Sequence, residues 1–208
     1  MFIGGNHFES WWNFLKKEPL LIQELDNIIN ILKEEYAITT VYPAKENIFR
    51  AFRETSINTV KTVFVGMDPY INEYKGNPSA CGLSFVTENG YVNPSLRILC
   101  KVFNIEPVEF KNFVLSNNAL MLNTALTVQA KNTGSHLKIW NRFTELLIKH
   151  ISKHYFLNWV LLGKDAEKYK NLIENGSIYT APHPMAYQYN GKTEYDELIK
   201  VFHEIQWI

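Results

Sequence analysis

Cysteine is almost absent from this chain. Cys81 and Cys100 are the only two among 208 residues, which excludes a disulfide framework and a cysteine-rich zinc site. Two reduced thiols in an intracellular protein are expected. An excess of either charge is also lacking, since 21 Lys and Arg balance 21 Asp and Glu. The chain does not have the basic surplus of a protein that holds nucleic acid tightly, although a small local patch would serve an enzyme that must let go. No apolar run approaches the ~20 residues that cross a bilayer. Met1 to Ser10 shows no charged-then-apolar leader pattern. These absences predict a soluble, cytoplasmic protein without a targeting or membrane segment.

Metal and cofactor signatures are missing too. Of the six histidines, only His150 and His154 stand at helical i, i+4 spacing. They lack the His-Glu-x-x-His pattern of a zinc helix and are expected on a solvated helix face. No Walker or Rossmann glycine loop is present, and Ser84 lacks the setting of a nucleophile elbow. Neither metal nor cofactor is expected.

What the chain does have is apolar and aromatic substance, at 46% and 14% of residues. That suffices for one well-buried core but not clearly for two. With no repeat, linker or low-complexity stretch, residues 1–208 are expected to form a single domain. Ser10 is placed to cap a first helix. Pro19 is placed to start a second, in which Leu21, Ile22, Leu25, Ile28, Ile29 and Leu32 recur at three-and-four spacing. A short helix is expected after the turn at Tyr42-Pro43. Four apolar runs, at 62–65, 119–122, 159–162 and 178–180, suit strands buried on both faces of a parallel sheet. Helical patterns occupy 95–103, 140–154, 166–173 and 194–205. This alternation predicts an α/β fold, three-layer αβα, with a short central parallel four-stranded sheet flanked by helices.

The segments that follow the runs carry the chemistry. Gly66-Met67-Asp68-Pro69-Tyr70 follows the first, Asn123-Thr124 the second, Gly163-Lys164 the third and Ala181-Pro182-His183-Pro184 the fourth. Open parallel sheets bind ligands at the carboxyl ends of their strands. Asp68, Asn123, Lys164 and His183 are therefore expected on one rim. Singly, Asp68 before a proline could shape a turn, Asn123 could cap a strand end, and His183 could stiffen a loop. Together at one edge they mark a site. An Asp, a His and an Asn without metal suit polarising a leaving group and stabilising a cation.

At these positions the chain resembles the family 1 uracil-DNA glycosylases. Residues 66–70 are similar to the family's Gly-Gln-Asp-Pro-Tyr-His signature, and Gly82-Leu83-Ser84-Phe85 to its Gly-Leu-Ala/Ser-Phe segment. Asn93-Pro94-Ser95-Leu96 resembles its Pro-Pro-Ser-Leu loop, and residues 120–128 its Leu-Leu-Leu-Asn-Thr-x-Leu-Thr-Val. Ser135-His136 and Trp140 echo the family's Ser-His and nearby Trp, and His183-Pro184 opens its His-Pro-Ser-Pro-Leu-Ser. These ordered segments span almost the whole chain.

The resemblance implies a monofunctional, metal-independent enzyme of base excision repair. Such an enzyme flips uracil out of single- or double-stranded DNA and hydrolyses its N-glycosidic bond. Phe85 would stack on the base, Asn123 would read N3–H and O4, and Tyr70 would exclude a C5 methyl, with Met67 in the same uracil-binding loop. His183 would donate to O2, and Asp68 would favour the sugar cation and position water. Ser95, Lys164, Pro184 and Tyr187 are the implied DNA contacts. A monomer is expected, and a proteinaceous glycosylase inhibitor or a replication protein is the class of partner beyond DNA.

Four departures stand out. Met67 replaces Gln and Ile71 replaces His, so the water-side loop is less polar. The stretch between Tyr70 and Phe85 is longer, with residues 72–80 altered. Gly163-Lys164 stands where Gly-Ser is common, and Lys164 would pair a phosphate as a point charge. Met185-Ala186-Tyr187, not Ser-Pro-Leu, follows His183-Pro184. Tyr187 thus occupies the offset of the family's intercalating leucine, either as a wedge in the duplex or as a surface-loop tyrosine. A weaker DNA grip with intact chemistry is expected. The rival reading is a glycosylase fold kept as a DNA-binding or polymerase accessory protein with weak or no catalysis. Against it stands the full set of Asp68, Tyr70, Phe85, Asn123 and His183. A glycosylase for another lesion and a nucleoside hydrolase are further alternatives.

Overall fold

In the computed structural model, which describes residues 7–189 and 195–207, all four apolar runs are strands of one sheet. The chain opens with α1 (Phe8–Leu15) and α2 (Pro19–Ile38). Pro19 takes the first turn of α2, where its missing N–H costs nothing, and Leu21, Leu25, Ile28 and Leu32 face inward. Ser10 does not cap α1. His7 holds that position, and Ser10 lies inside the first turn, donating from Oγ to the His7 carbonyl at 2.7 Å. Next come β1 (Val41–Tyr42), a 3-10 turn at Lys45–Asn47, α3 (Arg50–Glu54) and β2 (Thr62–Gly66). A hairpin of β3 (Glu73–Tyr74) and β4 (Asn77–Pro78) leads to α4 (Pro94–Phe103), α5 (Phe110–Ser116) and β5 (Ala119–Asn123). Then follow β6 (Val128–Gln129), α6 (Leu137–His154), β7 (Leu157–Leu162) and α7 (Lys164–Glu167). The chain closes with β8 (Gly176–Ala181), α8 (Pro184–Tyr189) and α9 (Asp196–Glu204).

The sheet order is β5-β2-β7-β8, parallel throughout. Every residue of β2 and β5 is buried, as continuous apolar strands between helical layers must be. The register sets Gly66 opposite Asn123 and Leu162 opposite Ala181, so all four strands end at one level. Beneath that edge lies a core with Trp11, Trp140, Trp159, Phe64 and Phe202 sealed from solvent. Cys81 and Cys100 are buried free thiols. No helix among the described residues is long and apolar enough to cross a membrane.

Two further expectations change. His150 is buried, not solvated. Its Nε2–H donates to the Phe14 carbonyl at 3.1 Å and its ring lies 4.2 Å from that of Phe14, joining α6 to α1. The 166–173 pattern starts earlier and splits into α7 and a 3-10 turn at Lys170–Leu172. The break falls at Tyr169, which is buried and donates its hydroxyl to Asn141 Oδ1. Of the last helix, expected from Glu194, the first residue lies outside the described residues, and the helix runs from Asp196.

Candidate active site

The ends of β2 and β5 are stitched together beyond the sheet. Thr124 N–H donates to Gly66 O at 2.8 Å and Ala125 N–H to Met67 O at 3.0 Å, while Thr124 Oγ1 donates to Met67 O at 2.6 Å. This holds the Asp68 loop and the Asn123 side chain in one frame. Asn123 is 8% exposed, and its amide lies directly over Gly66. A Cβ at position 66 would stand 2.5 Å from Asn123 Oδ1 and 3.2 Å from Phe85 Cε2. Glycine is therefore needed there for close approach. Phe85 itself has φ +60, a left-handed conformation that costs a non-glycine residue roughly 1–2 kcal/mol. Its buried ring sits 5.7 Å from the His183 ring.

These residues surround a cavity of about 470 Å³ lined by Met67, Asp68, Tyr70, Phe85, Asn123 and His183. The sequence-expected pocket is thus assembled from four separate stretches of chain. The Tyr70 hydroxyl is 2.8 Å from Ser95 Oγ and 3.3 Å from the Phe85 carbonyl, which fixes its ring in the wall.

The two candidate catalytic groups are each oriented by main chain. Gly134 N–H donates to Asp68 Oδ2 at 2.7 Å, leaving Oδ1 for other partners. Burial pushes the Asp68 carboxyl up from its ordinary pKa, against the pull of that N–H. Met185 N–H donates to His183 Nδ1 at 3.2 Å. An Nδ1 that accepts must place the imidazole proton on Nε2. Burial also lowers the His183 pKa, opposed by the nearby Asp165 carboxylate. The site therefore favours a neutral imidazole with a free Nε2–H donor.

Of the expected DNA contacts, Lys164 is exposed at the rim. Ser95 lines the cavity but is buried, with its hydroxyl against Tyr70. Pro184 is buried at the start of α8. Tyr187 corrects both readings of it, wedge and surface loop. It is 2% exposed, its hydroxyl donates to Glu197 Oε2 at 2.7 Å, and its ring packs edge-on against Tyr195. The segment after His183 is helical, so position 187 turns back into the core one turn later. Tyr187→Ala is accordingly expected to cost about 3 kcal/mol in urea unfolding, the scale of deleting a buried aromatic ring. A stability within 0.5 kcal/mol of wild type, on the order of a surface substitution, would contradict this placement.

Sequence reasoning singled out neither Gly134 nor Asp165, and it noted Met185 only as a departure from the family pattern. Asp165 lines the cavity and pairs with Lys168. Among the described residues, no three His, Cys, Asp or Glu side chains gather as a metal site requires.

Comparison with known proteins agrees with this geometry. Residues 52–206 match the family model described as "Uracil DNA glycosylase superfamily". The chain is 32% identical over 206 residues to the uracil-DNA glycosylase of Francisella philomiragia, covering 91% of each chain. It is 34% identical over 192 residues to that of Chlamydia muridarum, covering 85% of this chain and 80% of the other. Among solved structures, mimivirus uracil-DNA glycosylase superposes with a TM-score of 0.68 at 24% identity, covering 85% of this chain and 68% of that one. The UNG of Nitratifractor salsuginis gives 0.70 at 18% identity, with 97% of both chains covered. These two likenesses concern the fold. The matched family model and the identities over most of both sequences place this chain in the uracil DNA glycosylase superfamily.

Proposed function

We propose that this protein releases uracil from DNA by hydrolysing its N-glycosidic bond, leaving an abasic site for base excision repair. The observation that carries the proposal is the pairing, across one cavity, of a half-buried carboxylate with a histidine whose Nδ1 is already occupied by a backbone donor.

The target base must leave the stack before its bond can be reached. In the pocket, Phe85 offers its face to the base. The Asn123 amide oxygen accepts from N3–H and its amide nitrogen donates to O4. Cytosine presents the reverse pattern and would leave buried polar groups unpaired, a strong form of rejection. The Tyr70 ring, fixed through Ser95, stands where a C5 methyl would go.

As the bond stretches, the sugar becomes cationic and the base anionic. The His183 Nε2–H donates to the developing charge on O2, and a donor already in place stabilises that charge without reorganisation. The Asp68 carboxylate favours the sugar cation and, through Oδ1, orients the attacking water. The bonding electrons leave with uracil, water supplies the new C1′–O bond, and the proton that water gives up passes to the Asp68 carboxylate and on to solvent, from which the uracil anion is reprotonated. At the rim, Lys164 and the first-turn N–H groups of α4 around Ser95 are placed to meet phosphates. The Met67 loop completes the wall.

The decisive assay incubates the protein with oligonucleotides carrying uracil, thymine or cytosine and then cleaves abasic sites with alkali. Product from uracil alone is expected. Failure on single-stranded uracil DNA would instead indicate an accessory protein. Gly66→Ala provides a second check. Its Cβ would press first on the Asn123 amide, at 2.5 Å, and less on the Phe85 ring, at 3.2 Å, and the disturbed reading contact should lower kcat/KM for uracil about tenfold. Unchanged kinetics would show that Asn123 does not read the base. Two solved mimivirus UNG variants are in complex with UGI, and a proteinaceous inhibitor is the expected class of protein partner here.

A further inference from the structure

Two pocket-lining loops carry an aromatic pair that the chemistry above does not use. The first loop leaves the cavity at Asn72, turns through the β3–β4 hairpin and returns at Ala80. The second leaves at Phe85 and returns at Asn93. Each bears a tyrosine within two residues of a cavity wall: Tyr74 on the first, Tyr91 on the second. Their rings lie 5.6 Å apart at 33°, and Tyr74 lies over Gly90. Tyr91 is 37% exposed and Tyr74 is half-buried, so the pair is a partly open platform, not core.

The platform is rigid. Asn89 ties the loops together, donating from Nδ2 to the Asn77 carbonyl at 2.9 Å and to Ser79 Oγ at 3.0 Å, while its Oδ1 accepts from Tyr91 N–H at 3.1 Å. Ser79 N–H donates to Asn72 O, closing the base of the hairpin. Charge nearby suits an anionic strand. Lys75 sits 5.2 Å over the Tyr74 ring and has no salt bridge among the described residues. The neighbouring acids are engaged, Glu73 by the Tyr42 hydroxyl and Glu88 by Arg50 and Lys111.

We propose that Tyr74 and Tyr91 form a stacking platform for an unpaired base of the uracil-bearing strand, a few nucleotides from the flipped uracil, with Lys75 on the adjoining phosphate. This rests on the uracil-excision reading above. Aromatic faces bind bases without regard to sequence, and a preordered pair loses little freedom in doing so. The longer stretch between Tyr70 and Phe85 thus contributes Tyr74 and Lys75, and the loop after Phe85 contributes Tyr91.

The test compares the wild-type chain with Tyr74→Ala, Tyr91→Ala, the double alanine variant and the double phenylalanine variant. Substrates are a uracil-centred trinucleotide and a uracil-centred single-stranded 15-mer. The double alanine variant should raise KM on the 15-mer about tenfold with kcat unchanged, leave the trinucleotide unaffected, and be rescued by phenylalanine. A 15-mer in which the nucleotides flanking uracil's neighbours are abasic should lose the difference. Equal effects on both lengths, or none on either, would overturn the platform. Binding of a uracil-free, fluorescently labelled 15-mer supplies an independent readout, with Kd expected to rise about tenfold in the double alanine variant. Should the wild type release no uracil at all, the functional reading falls, and the platform stands or falls on that Kd.

Discussion

Asp68→Asn is expected to reduce kcat for uracil release by about 10²–10⁴-fold and, at neutral pH, to raise the melting temperature. Both effects come from the same burial. The Asp68 carboxyl is pushed up from its ordinary pKa, chiefly by desolvation, with the Gly134 N–H only partly offsetting it. A carboxyl whose folded pKa exceeds its unfolded value binds its proton more tightly when folded. The ionised form therefore costs stability at pH 7, and that cost is relieved as pH falls toward the folded pKa. Asparagine carries no charge to desolvate and its Oδ1 can still accept from Gly134. The gain in melting temperature should thus be largest at neutral pH and shrink on acidification. Thermal melts at pH 7 and pH 4.5 would show this, and an Asn variant less stable than wild type at pH 7 would contradict it.

The second large effect belongs to His183. His183→Ala should lower kcat by about 10²–10³-fold, the usual loss when one preorganised donor to a developing anion is removed. The pH profile tests the protonation states behind it. The active form needs Asp68 ionised and His183 neutral, and acidification destroys both. Burial moves Asp68 up from about 3.9 and His183 down from about 6.5, so the two titrations approach one another. The wild-type profile should therefore be a plateau with an acid limb steeper than a single ionisation and no matching basic limb near neutrality. In His183→Ala the residual rate should fall with the slope of one proton. A bell centred near neutral pH would mean that His183 works as a protonated acid.

The parts of this molecule that the sequence made legible are those whose cause is local. Residues 62–65 and 119–122 announce buried parallel strands because each is a continuous apolar run, and the structure extends them only to Gly66 and Asn123. Asp68, Asn123 and His183 follow, since a parallel sheet delivers its strand ends to one rim. Less was visible where distant residues decide. His150 looks solvent-facing until Phe14, 136 positions away, packs against it. Tyr187 looks available to DNA until Glu197 and Tyr195 receive it. The pairs β1–β6 and β3–β4 are two residues per strand, too short for any periodicity to show. The 166–173 stretch kept its helical spacing on paper although Tyr169 breaks it.

How sites of this kind drift over generations follows from the donors that hold the proposed catalytic pair, Asp68 and His183. The donor that orients Asp68 is the N–H of Gly134, and the donor that selects the tautomer of His183 is the N–H of Met185. Neither is a side chain. An alanine scan would therefore pass over the Met185 donor without registering it, whereas alanine at Gly134, where φ is +77, would be strained whatever became of the donor. At 185 every residue except proline can supply the hydrogen. Position 185 can thus exchange its side chain while the proton stays on Nε2, although Pro184 and Tyr187 on either side of it are held by the core.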